Sequence, residues 1–180
     1  MSRALEPGDA ASPFELMNAN TEGPESYTLS DIVTEIGCVI MFTCNHCPYV
    51  IGNESRIETI ASRAREVGMG FVGINSNDAD NYPTDDWNHM QKRGESMSYP
   101  YLHDSTQEVA TAWGAERTPE FYLLNGNGVI TYRGRLDDSP KDPSLSTTSE
   151  LSDAIDALLA DETPSIQRTD SIGCSVKWKV

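Results

Sequence analysis

Two apolar runs flanking a pair of cysteines constrain this chain most. Cys38-Val39-Ile40-Met41-Phe42 carries no polar residue, as in a strand buried on both faces. Met69 to Ile74 is a second run of the same kind. Between them Ile57, Ile60, Ala64 and Val67 recur at helical spacing, with Arg56, Glu58, Arg63 and Glu66 outward and Gly68 closing the helix. Strands buried on both faces need helices on both sides, so the pattern predicts a β-α-β unit in an α/β fold with a central sheet flanked by helices. Thr43-Cys44-Asn45-His46-Cys47-Pro48 lies where the first strand gives way to the helix.

That junction carries the chemistry. Two cysteines separated by two residues on one helical turn can close into a small disulfide ring and reopen. Free backbone N–H groups and the dipole at a helix start stabilise a thiolate there. The thiolate, not the thiol, attacks a disulfide. Cys44, the more N-terminal and by expectation the more exposed, is predicted to attack. Cys47, one turn in, is predicted to resolve the mixed disulfide. Pro48 fits the first helical turn, where some N–H groups lack partners anyway. Two inert buried cysteines or a metal clip are the competing readings of the same spacing.

The rest of the chain frames this unit. Pro13 to Leu29 reads as a peripheral N-terminal hairpin, followed by a short helix from Leu29 to Ile36 with Ser30 or Asp31 at its start. Asn75 to Pro83 is a polar loop, before a helix that Thr84 caps and Gly94 closes. Tyr101-Leu102 suggests a short strand. Ser105 to Glu108 has the form of a capping box opening a helix with Val109 and Trp113. Phe121 to Leu124 and Val129 to Tyr132, joined around Asn125-Gly126-Asn127-Gly128, form a hairpin. A last helix, with a capping box at Thr147 to Glu150, is expected to bury Leu151, Ile155, Leu158 and Leu159. The whole, residues 1–180, reads as a single domain, with 163–180 as a C-terminal tail packed on it.

Composition narrows the setting. With 28 acidic against 13 basic residues the formal net charge is −15, and the lysines are only Lys92, Lys141, Lys177 and Lys179. Self-repulsion on that scale destabilises a compact chain at low ionic strength and is screened by salt. The surface fits a very salty cytoplasm and disfavours nucleic acid and anionic membranes as partners; an ordinary acidic protein is the other reading. Melting temperature is therefore expected to rise between low and molar KCl, and a flat series would discard the halophilic reading. The N-terminal residues show no apolar core of a signal peptide, and no stretch approaches a membrane span, so a cytoplasmic location is expected. Four cysteines, unevenly placed, do not make a secreted disulfide framework.

Three segments together are recognisable: Phe42 to Val50 (Phe-Thr-Cys-Asn-His-Cys-Pro-Tyr-Val), Arg133 to Asp138 (Arg-Gly-Arg-x-Asp-Asp), and Gly173 to Trp178 (Gly-Cys-x-x-Lys-Trp). With the element order, they resemble the AhpC/TSA-like redoxin branch of the thioredoxin superfamily over nearly the whole chain. The resemblance implies a thioredoxin-like fold and thiol–disulfide oxidoreductase activity on disulfide-containing proteins or small thiols. It implies no organic cofactor, no bound metal, and an unidentified electron donor. It also implies that Pro119 is cis and that Thr118, presenting its backbone to an incoming peptide, binds substrate. Many relatives carry a further cysteine two residues before this proline; here that residue is Arg117. His46 resembles the Cys-x-His-Cys arrangement of disulfide isomerases and strong oxidants, where a partly cationic imidazole favours the thiolate. Cys38 stands where thioredoxins place a buried acid, and reads as a small apolar core residue.

The tail leaves two readings open. Ile172, Cys174, Val176, Trp178 and Val180 alternate with polar or small residues, which puts Cys174 on an apolar face for packing; alternatively the tail folds back and makes Cys174 a third redox thiol or a metal ligand. His89 and His103 read as structural. Asp78, Asp80, Asp85 and Asp86 lack the ordered spacing of a calcium loop and read as solvated surface and helix-start charges. Arg133 and Arg135 are placed to contact Asp137 or Asp138, with no chemistry assigned. Two rival functions are a peroxiredoxin-like thiol peroxidase and a Cu(I)- or zinc-binding module using Cys44, His46, Cys47 and Cys174. Against the first, aligning Cys47-Pro48 on a Pro-x-x-x-Thr-x-x-Cys-Pro site puts Cys44 in the threonine's place. Against the second, three ligands within four residues converge poorly.

Overall fold

In the computed structural model, which describes residues 3–180, the two apolar runs form β3 (Gly37–Thr43) and β4 (Gly70–Asn75). They pair in parallel from Cys38↔Gly70 to Thr43↔Asn75. The hairpin expected in the second half is β7 (Glu120–Asn125) and β8 (Ile130–Gly134), and β7 runs antiparallel to β3. On the other side β4 pairs with β5 (Tyr101–His103). The N-terminal hairpin, β1 (Glu15–Asn18) and β2 (Ser26–Thr28), adds itself to β5 and becomes the edge of the same sheet. The resulting mixed sheet has seven strands in the order β2-β1-β5-β4-β3-β7-β8.

Period-two alternation along β3 divides the core. Cys38, Ile40 and Phe42 face a layer with Leu29 and Ile32 from α1 (Leu29–Ile32) and Val109, Ala110 and Trp113 from α5 (Glu108–Trp113). Trp113 is its centre, edge-on to Phe42 and Tyr122 with centroids 6.0 and 5.1 Å away. Val39 and Met41 face the opposite layer, against Ile57, Ile60 and Ala64 of α3 (Glu54–Glu66) and Leu151 and Ile155 of α6 (Glu150–Leu159). Cys38 is fully buried in the first layer, and burial pushes its thiol up to about 12.

Several expected details differ. The first helix stops at Ile32 and is capped by Thr28, whose hydroxyl and backbone exchange hydrogen bonds with Asp31. The helix after the cysteines is two: α2 (Pro48–Ile51), then a break at Gly52-Asn53, then α3. α4 (Trp87–Gly94) is capped by Asp86, not Thr84, which lies in a preceding 3-10 turn. The Ser105–Glu108 capping box does not form. Gln107 takes a left-handed conformation, and the buried Asp104 carboxyl accepts from Val109 and Ala110 N–H instead. The Thr147–Glu150 box is likewise absent, because Thr147 and Thr148 bind the Asp138 carboxylate and Glu150 turns inward to Arg135. Leu159 is exposed rather than buried. Among the described residues no helix is long and apolar enough to cross a membrane.

The Arg133 to Asp138 segment ties elements together, though not by the contacts expected. Arg133 pairs with Glu120 and Glu6, Arg135 with Glu150, and Asp137 with Arg56 of α3. Between the two arginines, Gly134 has φ +148°, and a Cβ there would meet Thr169 Oγ1 at 2.0 Å. The tail passes against this residue and cannot do so over a side chain. It then continues to β9 (Cys174–Ser175), which pairs antiparallel with β6 (Arg117–Thr118).

Candidate redox site

The site lies at the C-terminal end of β3. Cys44 follows the strand directly. Cys47 is the N-cap of α2, with Pro48 at the first helical position. The helix start that was expected to serve Cys44 therefore serves Cys47. Both side chains are buried, Cys44 to 3% and Cys47 to 6% relative exposure, so neither is the open one of the pair. No cysteine is in a disulfide, and the pair is in its dithiol form.

Thr118 faces both sulfurs. Its hydroxyl lies 3.4 Å from Cys44 Sγ, and its carbonyl oxygen lies 3.4 Å from Cys47 Sγ. The Thr118–Pro119 peptide is cis. β9 runs alongside, with Cys174 opposite Thr118 in the register, and Cys174 packs into the sulfur cluster with Cys44, Cys47, Val50 and Tyr49. The structure thus brings together Cys44, Cys47, Thr118, Pro119 and Cys174. It leaves His46 exposed on the loop, with no hydrogen bond among the described residues. The tail's alternation fails beyond Val176, since Trp178 and Val180 are exposed.

The charge in the reduced pair rests on Cys47. A hydrogen bond from the Cys44 thiol lowers its pKa most, followed by Cys174 side-chain and backbone donors and the Tyr49 N–H; burial opposes them, and the pKa settles at about 4. The Cys44 thiol is raised by the same sulfur–sulfur hydrogen bond, then by burial and by the nearby Asp85. One proton is therefore shared across the pair and resides on Cys44.

Behind the loop is a polar network that sequence reasoning missed. Asp85 is 4% exposed, not a surface charge. Its carboxyl accepts from Asn45 N–H at 2.8 Å, Asn75 Nδ2 at 3.0 Å and Asn77 Nδ2 at 3.1 Å. Tyr101 donates to Asn45 Oδ1 at 2.6 Å, and Asn45 Nδ2 donates to the Thr84 carbonyl at 2.8 Å. The residue between the cysteines is thereby bound on its backbone and both side-chain polar atoms. Leaving such buried groups unpaired costs about 1–3 kcal/mol each, so this loop holds one geometry. The readable signal was Asn75-Ser76-Asn77 at the end of β4, polar residues at the strand end adjoining the cysteines.

His103 stacks on Trp87 at 5.8 Å, and His89 contacts Asp86. Among the described residues no group of three or more His, Cys, Asp or Glu side chains is arranged to hold a metal ion.

Comparison with known proteins places the fold in a class. The Redoxin family model matches residues 6–155, and the chain belongs to that family. An uncharacterized conserved protein from Geobacillus kaustophilus is 39% identical over 99% of this chain and 95% of its own, with a TM-score of 0.91. A hypothetical protein from Sinorhizobium meliloti 1021 is 30% identical over 99% of this chain and 98% of its own, at 0.88. The thioredoxin-like fold is shared more widely. A structure described as a putative thiol:disulfide interchange protein DsbE from Chlorobium tepidum has a TM-score of 0.60 at 15% identity, covering 88% of this chain and 98% of its own. No curated protein matches the chain.

Proposed function

We propose that this redoxin is a cytoplasmic thiol–disulfide oxidoreductase. Its Cys44–Cys47 pair exchanges two electrons with disulfides of other proteins or small thiols, and a thioredoxin-type or low-molecular-weight thiol system supplies the electrons. The observation that carries this reading is the pair itself: two free cysteines two residues apart, both sulfurs 3.4 Å from Thr118, at the start of a helix.

The first step falls to Cys44. Both sulfurs are buried, Cys44 to 3% and Cys47 to 6% exposure, but Cys47 is held at the start of α2 by the Cys174 and Tyr49 N–H groups, whereas Cys44 precedes that helix. The Cys44 proton crosses to Cys47, and the Cys44 thiolate attacks one sulfur of the substrate disulfide. The mixed disulfide forms and the other substrate sulfur leaves, taking the proton from Cys47. Cys47, again a thiolate held by the Tyr49 and Cys174 N–H groups, attacks Cys44 Sγ. The second substrate thiolate leaves, and the Cys44–Cys47 disulfide closes. Charge stabilisation at the helix start thus serves the resolving step. His46, exposed beside the pair, is placed to bias the potential through its charge without occluding the sulfurs.

Neither rival reading draws support. Cys44 occupies the threonine position of a thiol-peroxidase site, and the metal reading has no supporting observation beyond the sulfur cluster itself.

The test is trapping. Incubated with cell extract, Cys47→Ser is expected to accumulate mixed disulfides on Cys44, while Cys44→Ser does not, and the wild type closes Cys44–Cys47 under mild oxidant. A wild-type pair that stays reduced in oxidant removes the proposal.

A further inference from the structure

Cys174 is the most accessible sulfur near the pair, yet the exchange just described uses it only as a hydrogen-bond donor. It is half-buried, where Cys44 and Cys47 are buried. Its position is built rather than incidental. Gly173 has no room for a side chain, because a Cβ there would meet the Thr118 carbonyl oxygen at 2.0 Å, so the tail crosses the Thr118–Pro119 segment in direct backbone contact. Beyond Cys174 the tail is fastened. Val176 N–H donates to the Glu116 carbonyl at 3.0 Å, Lys177 N–H to Asn77 Oδ1 at 2.9 Å, and Lys179 N–H to Gln107 Oε1 at 2.9 Å. The Lys177 carbonyl in turn accepts from Asp78 N–H and Gln107 Nε2, each at 2.8 Å.

Charge is arranged here too. In a chain with four lysines, Lys141 and Lys177 both favour the anion at Cys174. In the dithiol, burial and then the Cys47 anion hold the Cys174 thiol up at about 11. Oxidation of the pair removes that anion, so what opposes Cys174 ionisation weakens when Cys47 becomes a target. Next to Gly173 opens a cleft of about 450 Å³, lined in part by Tyr49, Arg117 and Arg168.

From this placement we infer that Cys174 is a third redox thiol, which takes the disulfide from Cys44–Cys47 to Cys47–Cys174 and offers it at the tail to an external thiol reductant. The inference rests on the exchange function proposed above. In the step, the Cys174 thiolate attacks Cys47 Sγ, the Cys44–Cys47 bond breaks, and Cys44 leaves as a thiolate that takes up the proton Cys174 lost. No net oxidation occurs. A thiol then attacks Cys174 Sγ and releases Cys47, and a second thiol, from the same donor, displaces the first as the donor's disulfide. The buried pair thereby meets substrate at Cys44 and reductant at Cys174, on separate sulfurs.

Two measurements on the full chain test this. Cys44→Ser, treated with stoichiometric diamide and quenched in acid, is expected to show a Cys47–Cys174 disulfide by peptide mapping. Oxidised Cys174→Ser and Cys174→Ala are expected to hold the Cys44–Cys47 disulfide, with reduction by glutathione at least about tenfold slower than wild type. Absence of the Cys47–Cys174 link, or wild-type reduction rates in both Cys174 variants, overturns the relay. Because those variants retain the Cys44–Cys47 disulfide in that case, the outcome is distinct from failure of the exchange function, in which no such bond forms.

Discussion

Replacing Arg133 by Met is expected to destabilise the protein by about 3–5 kcal/mol, which for a chain of this length lowers the melting temperature by roughly 10 °C. Arg133 and Glu120 are each 1% exposed at the side chain, with Nε 3.1 Å from Oε2. The guanidinium also donates to the Leu5 carbonyl at 2.9 Å and to the Gly114 carbonyl at 2.8 Å, and it lies over the Tyr122 ring at 5.2 Å. One side chain thus joins the N-terminal segment, the end of α5 and β7. Methionine keeps the volume and removes every donor. The Glu120 carboxylate would then be buried with only neutral partners, Glu116 N–H at 2.9 Å and Ser171 Oγ at 3.2 Å. An uncompensated buried charge is the expensive outcome, not the loss of the pair. The double variant Arg133→Met/Glu120→Gln should accordingly recover part of the loss. A single-variant melt within about 1 kcal/mol of wild type would show that the pair carries no such penalty. Glu120 directly follows Pro119, so the same network holds the segment facing both sulfurs.

The legible parts of this fold were those written in local pattern. Continuous apolar runs marked β3 and β4, helical spacing marked α3, and the Asn-Gly-Asn-Gly turn marked the β7–β8 hairpin, because each signal depends on residues close in sequence. The cysteine pair was legible for the same reason. What escaped were choices among chemically equivalent residues made by distant partners. Asp85 and Asp86 are neighbours of one type, yet the first is drawn inward by Asn45, Asn75 and Asn77 and the second caps α4. Thr147 fits a capping box, but Asp138 claims it. The position of the helix start, three residues later than the chemistry suggested, came from Pro48 suiting the first turn and Asp85 holding the Asn45 backbone outside the helix. That shift puts the Tyr49 N–H of the first helical turn beside Cys47 rather than Cys44, adding to the Cys44 and Cys174 hydrogen bonds that hold the charge there.

The reduced protein is expected to keep a thiolate on Cys47 down to about pH 4, where an ordinary cysteine is protonated below about pH 8.5. The sign of the stability effect follows. A folded-state pKa below the unfolded value means that between these two pH values the unfolded chain binds the extra proton. Stability of the dithiol form therefore rises with pH across that window, is fully present above the unfolded pKa, and is lost as pH falls through about 4. Cys44 acts oppositely. Its raised pKa leaves it protonated in the fold where the unfolded thiol ionises, so stability declines again above about pH 8.5. The disulfide form has neither group, and its difference from the dithiol form isolates both. The potential gives the sharper readout. Reduction that takes up two electrons and one proton shifts the midpoint by about 30 mV per pH unit, against about 59 mV when both sulfurs are protonated. Between pH 5 and 8 the shallower slope is expected, together with a thiolate ultraviolet absorbance that disappears in Cys47→Ser. A two-proton slope over that range would place both protons on the pair and remove the thiolate that the start of α2 is built to hold.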